Sequence, residues 1–227
     1  MLTVHHLNVS QSERIIWLLE ELELPYELVL YQRDPVTQFA PPELRDVHPV
    51  GTAPVLVDGE VVLGESGAIV EYILGRYGEG RLAVPATSPQ YPDYLYWFHY
   101  ANASLVSWSI VSWITGMALG PDSNSPLLPA LRQRLDRHLE MVETRLSQGD
   151  YFAGADFTAA DIMMHFPFGT MKAFYDLGFD NRPNIKAWLT QISDRPGYQR
   201  GMKAAGHEQD PVLEGNTSRV IGLDSSA

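Results

Sequence analysis

Short strand-like and helix-like patterns alternate over the first eighty residues. Leu2 to Leu7 is a short apolar-rich run that predicts a strand. Over residues 11–24 the period changes. Ile15, Ile16, Leu18, Leu19 and Leu22 fall on one broad face, which predicts a helix that Pro25 stops. Tyr26, Leu28 and Leu30 then alternate with Glu27, Val29 and Tyr31, predicting a second strand beside the first. Residues 33–52 hold several prolines and read as loop with a short helix. Val55, Leu56 and Val57 face Val61, Val62 and Leu63 across Asp58-Gly59-Glu60, a hairpin signal because glycine tolerates positive φ. Ser66 stands at the N-cap position of a further helix, whose apolar face is Ala68, Ile69, Tyr72 and Ile73.

The rhythm changes after Gly78, Gly80, Pro85, Pro89 and Pro92, which mark a domain boundary. Every later pattern is helical. Residues 94–119 are rich in aromatics, residues 127–146 are amphipathic, and a helix is predicted over 158–175. That helix begins on Thr158-Ala159-Ala160-Asp161, a capping-box pattern that satisfies free N–H groups. Another helix is predicted over 183–192. The expected organisation is an α/β domain over 1–80, an all-α domain over 90–206 and a polar tail over 207–227.

Composition narrows the function. Acidic residues outnumber basic ones 28 to 16, and a formal charge of −12 argues against nucleic acid, whose phosphates need clustered Lys and Arg. The absence of cysteine excludes disulfides, thiolate metal sites and a cysteine nucleophile of the protein's own; no metal site is expected. No run of eighteen apolar residues calls for a transmembrane helix, and no signal peptide is read, so the expected location is the cytoplasm.

Four stretches, taken in order, resemble the soluble glutathione S-transferase family. They are Ser10-Gln11-Ser12-Glu13-Arg14 before Ile15 to Leu22; His48-Pro49-Val50-Gly51-Thr52-Ala53-Pro54-Val55-Leu56; Glu65-Ser66-Gly67-Ala68-Ile69; and Gly154 to Met164. The likeness spans roughly residues 1–200. Ala40-Pro41-Pro42-Glu43-Leu44 and Trp97-Phe98-His99-Tyr100 most resemble the fungal and bacterial serine-type branch, which includes a yeast transferase associated with the endoplasmic reticulum. The resemblance implies a thioredoxin-like α/β domain, an all-α C-terminal domain, a two-fold homodimer, glutathione as co-substrate, and addition of its sulfur to a small hydrophobic electrophile in detoxification. It also leaves room for glutathione-dependent peroxide reduction or isomerisation, or for a ligand-binding homologue without catalysis.

Such chemistry needs a thiolate. An ordinary thiol has a pKa near ~8.5, so lowering it by about two units takes roughly 2.7 kcal/mol of anion stabilisation. A hydroxyl at a helix N-terminus supplies part of that. Ser10 lies between the first strand and the first helix, and its spacing to Arg14 resembles serine-type members; Ser12 is the alternative. Both also read as simple helix caps. No tyrosine lies within residues 2–14, and His5 and His6 read as packed or surface histidines at the strand end. Glu65 and Ser66 resemble the pair that holds the γ-glutamyl end, and Ala53 precedes a Pro54 that the family carries in cis and that positions backbone pairing with the cysteinyl unit. Thr52 stands where many relatives have Lys for the glycyl carboxylate, leaving His48 or Arg45 to replace it. The electrophile pocket is expected from Tyr100, Ser104, Ser107, Trp108 and Val111, residues that also read as core at helical spacing.

Overall fold

The computed structural model describes residues 1–120, 123–175 and 177–207. The chain forms two compact units: Met1–Ala86 with the segment that starts at Gln191, and Thr87–Thr190.

In the first unit, β1 (Leu2–Leu7) is followed by α1 (Glu13–Glu21), β2 (Tyr26–Tyr31), α2 (Leu44–Val47), β3 (Val55–Asp58), β4 (Val61–Leu63) and α3 (Ser66–Tyr77). The four strands lie in the order β2-β1-β3-β4. β1 pairs parallel with β2 and antiparallel with β3, and β3 with β4. A parallel pair needs a crossover, which α1 supplies. Along β1 the side chains alternate, so Leu2, Val4 and His6 share the buried face. Ile15, Ile16, Trp17, Leu18 and Leu19 are all fully buried, so α1 is covered on all sides rather than along one stripe.

The cover on α1 includes the last helix. The sequence places it with the all-α domain, yet it packs on α1 in the first unit. In Pro196–Ala204, Gly197 and Gly201 lie one turn apart, and a Cβ at Gly201 would come within 2.9 Å of the Trp17 Cα. Polar pairs fix the seam: Arg195 donates to both Glu21 carboxylate oxygens at 2.8 Å, and Arg200 donates to Glu20 at 2.8 Å.

Two boundaries in the first unit differ from expectation. The first helix shortens from the predicted 11–24 to Glu13–Glu21, with Leu22 as its C-cap and Glu23 turning out at φ 54°. The N-cap of α3 is Glu65 rather than Ser66, which is the first helical residue.

The second unit is helical: α4 (Tyr91–Tyr100), a π-helical segment (Ala101–Val106), α5 (Ser107–Leu119), α6 (Leu127–Leu146), α7 (Ala159–Phe168), a 3₁₀ turn (Thr170–Ala173) and the start of α8 (Pro183–Ser193). The last helix, Pro196–Ala204, is α9. The run predicted as one helix over 94–119 is thus continuous but wound loosely at its middle. The helix predicted over 158–175 ends at Phe168, and Gly169 leads into the 3₁₀ turn. Among the described residues, no helix is long and apolar enough to cross a membrane.

The capping box at the start of α7 is present and extended. Asp161, fully buried, accepts from the backbone N–H of Thr158 and of Phe152, each at 3.0 Å, and from Trp188 Nε1 at 3.1 Å. Burial pushes its carboxyl up to about 6 while these donors pull it back. Asp161→Ala strands several buried donors, each costing about 1–3 kcal/mol. The expected outcome is a loss of about 3–4 kcal/mol in urea unfolding with little change in the denaturant slope.

Candidate functional site

The junction between β1 and α1 gathers most of the polar side chains buried in the first unit. Ser12, Glu13 and Arg14, in the first turn of α1, are each no more than 3% exposed. Arg33 shapes the loop before them: its guanidinium donates to the carbonyls of Asn8 at 3.0 Å, Val9 at 2.7 Å and Gln38 at 2.8 Å. Val9 takes φ 52°, a left-handed conformation that a β-branched residue adopts only under such constraint.

Two hydrogen-bonded groups emerge from this junction. In the first, the Ser10 and Ser12 hydroxyls are 2.6 Å apart, Ser12 Oγ is 2.7 Å from His6 Nδ1, and His6 Nε2 is 3.0 Å from the Ala205 carbonyl. A carbonyl only accepts, so Nε2 carries the proton and Nδ1 of the neutral ring accepts from Ser12. Desolvation holds His6 below the ordinary imidazole range, with Glu13 and the Ala205 carbonyl opposing. Ser10 also accepts from the Ser12 N–H at 3.2 Å. Ser12 occupies the N-cap position of α1 but its hydroxyl makes no capping bond. Its hydroxyl is turned instead toward the strand, where it also approaches the Leu7 carbonyl at 3.3 Å.

In the second group, Arg14 Nη1 donates to Gln11 Oε1 at 2.6 Å and to Ser66 Oγ at 3.3 Å. Ser66 Oγ is 3.4 Å from the same Gln11 oxygen. Burial pulls the Arg14 guanidinium down to about 9, and Glu13 opposes this, so the group is cationic at neutral pH. Glu65, exposed beside Ser66, holds φ 66°. Its side chain therefore projects from a backbone conformation that ordinary helix starts do not use. His48 lies against the same corner: a Cβ at Gly64 would come within 3.1 Å of its ring. The Ala53–Pro54 bond is cis, as expected, just before β3. Arg45 lies over Gly51, and Thr52 is exposed.

The residues expected to form the electrophile pocket lie in the second unit. Tyr100, buried, contacts His138 Nδ1 through its hydroxyl, and burial raises its pKa. Tyr100 and Ser104 line a cavity of about 490 Å³ with Arg134, Arg137, His138 and Met141. Trp108 stacks under the Arg134 guanidinium at 3.7 Å, a cation–π contact. Ser107 donates to the Asn102 carbonyl at 2.8 Å, and Val111 is exposed. Tyr100 immediately precedes the π-helical segment and Ser104 lies within it, a local unwinding that often accompanies functional sites.

Ser10, Ser12, Glu65, Ser66, Ala53, Pro54 and His48 thus all belong to the first unit, and Ser66 is tied directly to the α1 turn. Sequence reasoning missed His6, Gln11 and Arg33. For His6 a signal existed: the alternation Leu2, Val4, His6 puts it on the buried face of β1. A histidine there must find buried partners, and Ser12 is near in sequence. Gln11 and Arg33 carried no comparable signal, since their partners are fixed by the loop path.

Comparison with known proteins agrees with this geometry. Residues 4–81 match the family model described as glutathione S-transferase, N-terminal domain, and residues 106–196 match that of the C-terminal domain. Glutathione S-transferase 3 of Schizosaccharomyces pombe is 33% identical over 207 residues, covering 86% of this chain and 84% of that protein. Glutathione S-transferase 1 of Saccharomyces cerevisiae is 27% identical, covering 95% and 98%. Among solved structures, a glutathione S-transferase from Actinobacillus pleuropneumoniae superposes with a TM-score of 0.84 at 32% identity, covering 96% of this chain and 98% of that one.

Proposed function

The chain belongs to the glutathione S-transferase family, and we propose that it holds glutathione with its sulfur at Ser10 and adds that sulfur to a hydrophobic electrophile. The observation that carries the assignment of Ser10 is its placement. It is the outermost hydroxyl of the β1–α1 junction, 8% exposed, whereas Ser12 behind it is fully buried. Ser10 is the one that reaches a ligand; Ser12 supports it.

The remaining contacts follow from the chemistry of the tripeptide. The γ-glutamyl carboxylate fits the start of α3, where Ser66 contributes a hydroxyl and the helix N-terminus its positive dipole end, with the Arg14 cation behind it. Glu65 suits the γ-glutamyl ammonium. The Ala53 backbone pairs with the cysteinyl backbone as an added strand would. His48, at the Gly64 corner, is the nearer candidate for the glycyl carboxylate than Thr52, with Arg45 as its alternative. Tyr100, Ser104 and Trp108 are assigned to the electrophile. The expected assembly is a two-fold homodimer working in the cytoplasm in detoxification.

Three measurements test this reading. Ser10→Ala removes a hydrogen bond to a charged sulfur, worth about 1.5–3 kcal/mol, so turnover falls on the order of ten- to a hundredfold while glutathione affinity changes little. The thiolate band of bound glutathione then titrates at higher pH; an unchanged titration sinks the Ser10 role. Glu65→Ala raises the glutathione KM strongly, and unchanged calorimetric affinity refutes the γ-glutamyl assignment. Sedimentation at micromolar concentration gives a dimer, and a monomer would count decisively against the assembly.

A further inference from the structure

The two hydroxyls and the imidazole at the β1–α1 junction form a line with one open end. Ser10 is the end that reaches solvent; Ser12 and His6 are both fully buried. The contacts along it are short, 2.6 Å between the hydroxyls and 2.7 Å onto Nδ1, so each needs one proton between its heavy atoms. Along this line Ser10 donates to Ser12 and Ser12 donates to His6 Nδ1. A thiol placed against Ser10, as proposed above, adds a third contact and a third proton. Three contacts and three protons match.

That count decides where the thiol proton goes. If it left for solvent while His6 stayed neutral, two protons would remain for three contacts, and one pair of lone-pair atoms would face each other without a hydrogen. If it enters the line, every contact keeps its proton and only the direction of donation reverses. We propose that Ser12 and His6 are positioning residues that carry the proton inward, so that glutathione ionises by transfer along Ser10 and Ser12 to His6 Nδ1. This rests on the assignment of the sulfur to Ser10.

The bonds balance. The S–H bond breaks and its proton bonds to Ser10 Oγ. The former Ser10 proton moves to Ser12 Oγ, and the former Ser12 proton moves to His6 Nδ1. The sulfur keeps the electron pair. The products are a thiolate and an imidazolium, with both hydroxyls intact. Afterwards Nδ1 donates to Ser12, Ser12 donates to Ser10, and Ser10 donates to the thiolate. The hydroxyl that stabilises the anion is therefore oriented by the same event that forms it.

The surroundings of His6 disfavour its cation through burial and offset that cost only in part. Its Nε2–H is held by the Ala205 carbonyl at the end of α9. From α1, the buried Glu13 carboxylate acts on it favourably; from the segment after α9, His207, whose Nε2 is 3.0 Å from Glu13, acts against it. Glu13 also acts on Arg14 and on Arg33, which follows β2. His5, the next residue on β1, is turned to the other face and bonds Tyr31. Burial lowers the His6 pKa and leaves the ring neutral with Nδ1 unprotonated, so it is the charge of the thiolate formed in the same step that offsets the cost of its cation.

The direct test follows the His6 ring nitrogens by NMR in the whole protein near pH 7. With glutathione, Nδ1 should change to the protonated signature; with S-methylglutathione, which has no thiol proton, it should stay neutral. A neutral His6 with both ligands overturns the proposal. A second arm uses Ser12→Ala, with folding checked by thermal unfolding. The bound thiol pKa should rise by about one unit and kcat should fall about tenfold, with the glutathione KM within about twofold. Adding His6→Asn to Ser12→Ala should cost little more, because both cut one line; additive losses count against it. Ser10→Ala separates the two readings. If it leaves the thiol titration unchanged, the sulfur assignment fails. If it raises the thiol pKa while His6 stays neutral with both ligands, only the relay fails.

Discussion

The first turn of α1 places a hydroxyl, a carboxylate and a guanidinium, Ser12, Glu13 and Arg14, out of water in succession. Removing an ion from water costs several kcal/mol unless partners restore what was lost. Each of the three finds partners in a different piece of chain. Ser12 reaches back to His6 on β1, Glu13 meets His207 beyond α9, and Arg14 meets Gln11 in the loop and Ser66 on α3. Satisfying that turn therefore ties together a strand, a loop, a second helix and the C-terminal segment. The candidate site is the exposed edge of that solution.

This explains why α9 belongs with the first unit. Without it, Ala205 would not cap His6 and the Trp17 side of α1 would face water. Its two glycines one turn apart allow the approach, and the Arg195–Glu21 pair fixes it along the seam. A segment distant in sequence is thereby joined to Ser10 through Ser12, His6 and the Ala205 carbonyl.

Much of this architecture is legible in the amino-acid order. An apolar-rich run gave β1, alternation gave β2, the Asp58-Gly59 turn gave the hairpin, and Thr158 with Asp161 gave the start of α7, because each signal is local and carries its own geometry. Ser10, Glu65 and Ser66 were candidates by position together with the family likeness, and they do lie at the β1–α1 junction and the start of α3. The remainder depends on contacts without a period. His6 and Ala205 are 199 positions apart, and Arg14 and Ser66 are 52 apart, so no window of sequence contains them. The N-cap of α3 moved from Ser66 to Glu65 for a related reason. The positive φ at Glu65 follows from the path out of the hairpin, and residue preference alone favours serine at that place.

On the proposed assignment, meeting the sulfur with hydroxyls rather than a direct cation has a kinetic logic. At pH 7 a thiol of pKa ~8.5 is about 3% ionised, and one of pKa ~6.5 is about 76% ionised, a gain of roughly 25-fold. Thiolate nucleophilicity falls with basicity, with a Brønsted slope of about 0.4–0.5, so the same two units forfeit roughly eightfold and leave a net gain. A further two units would raise ionisation by only about a third and forfeit another eightfold. A lone cation against the sulfur pushes toward that losing side. In the proposed arrangement, a neutral hydroxyl with the compensating charge two hydrogen bonds further in on a buried ring stabilises the anion in part and leaves it reactive. The arrangement of Ser10 in front, Ser12 behind it and His6 at the base of the junction is suited to that intermediate strength.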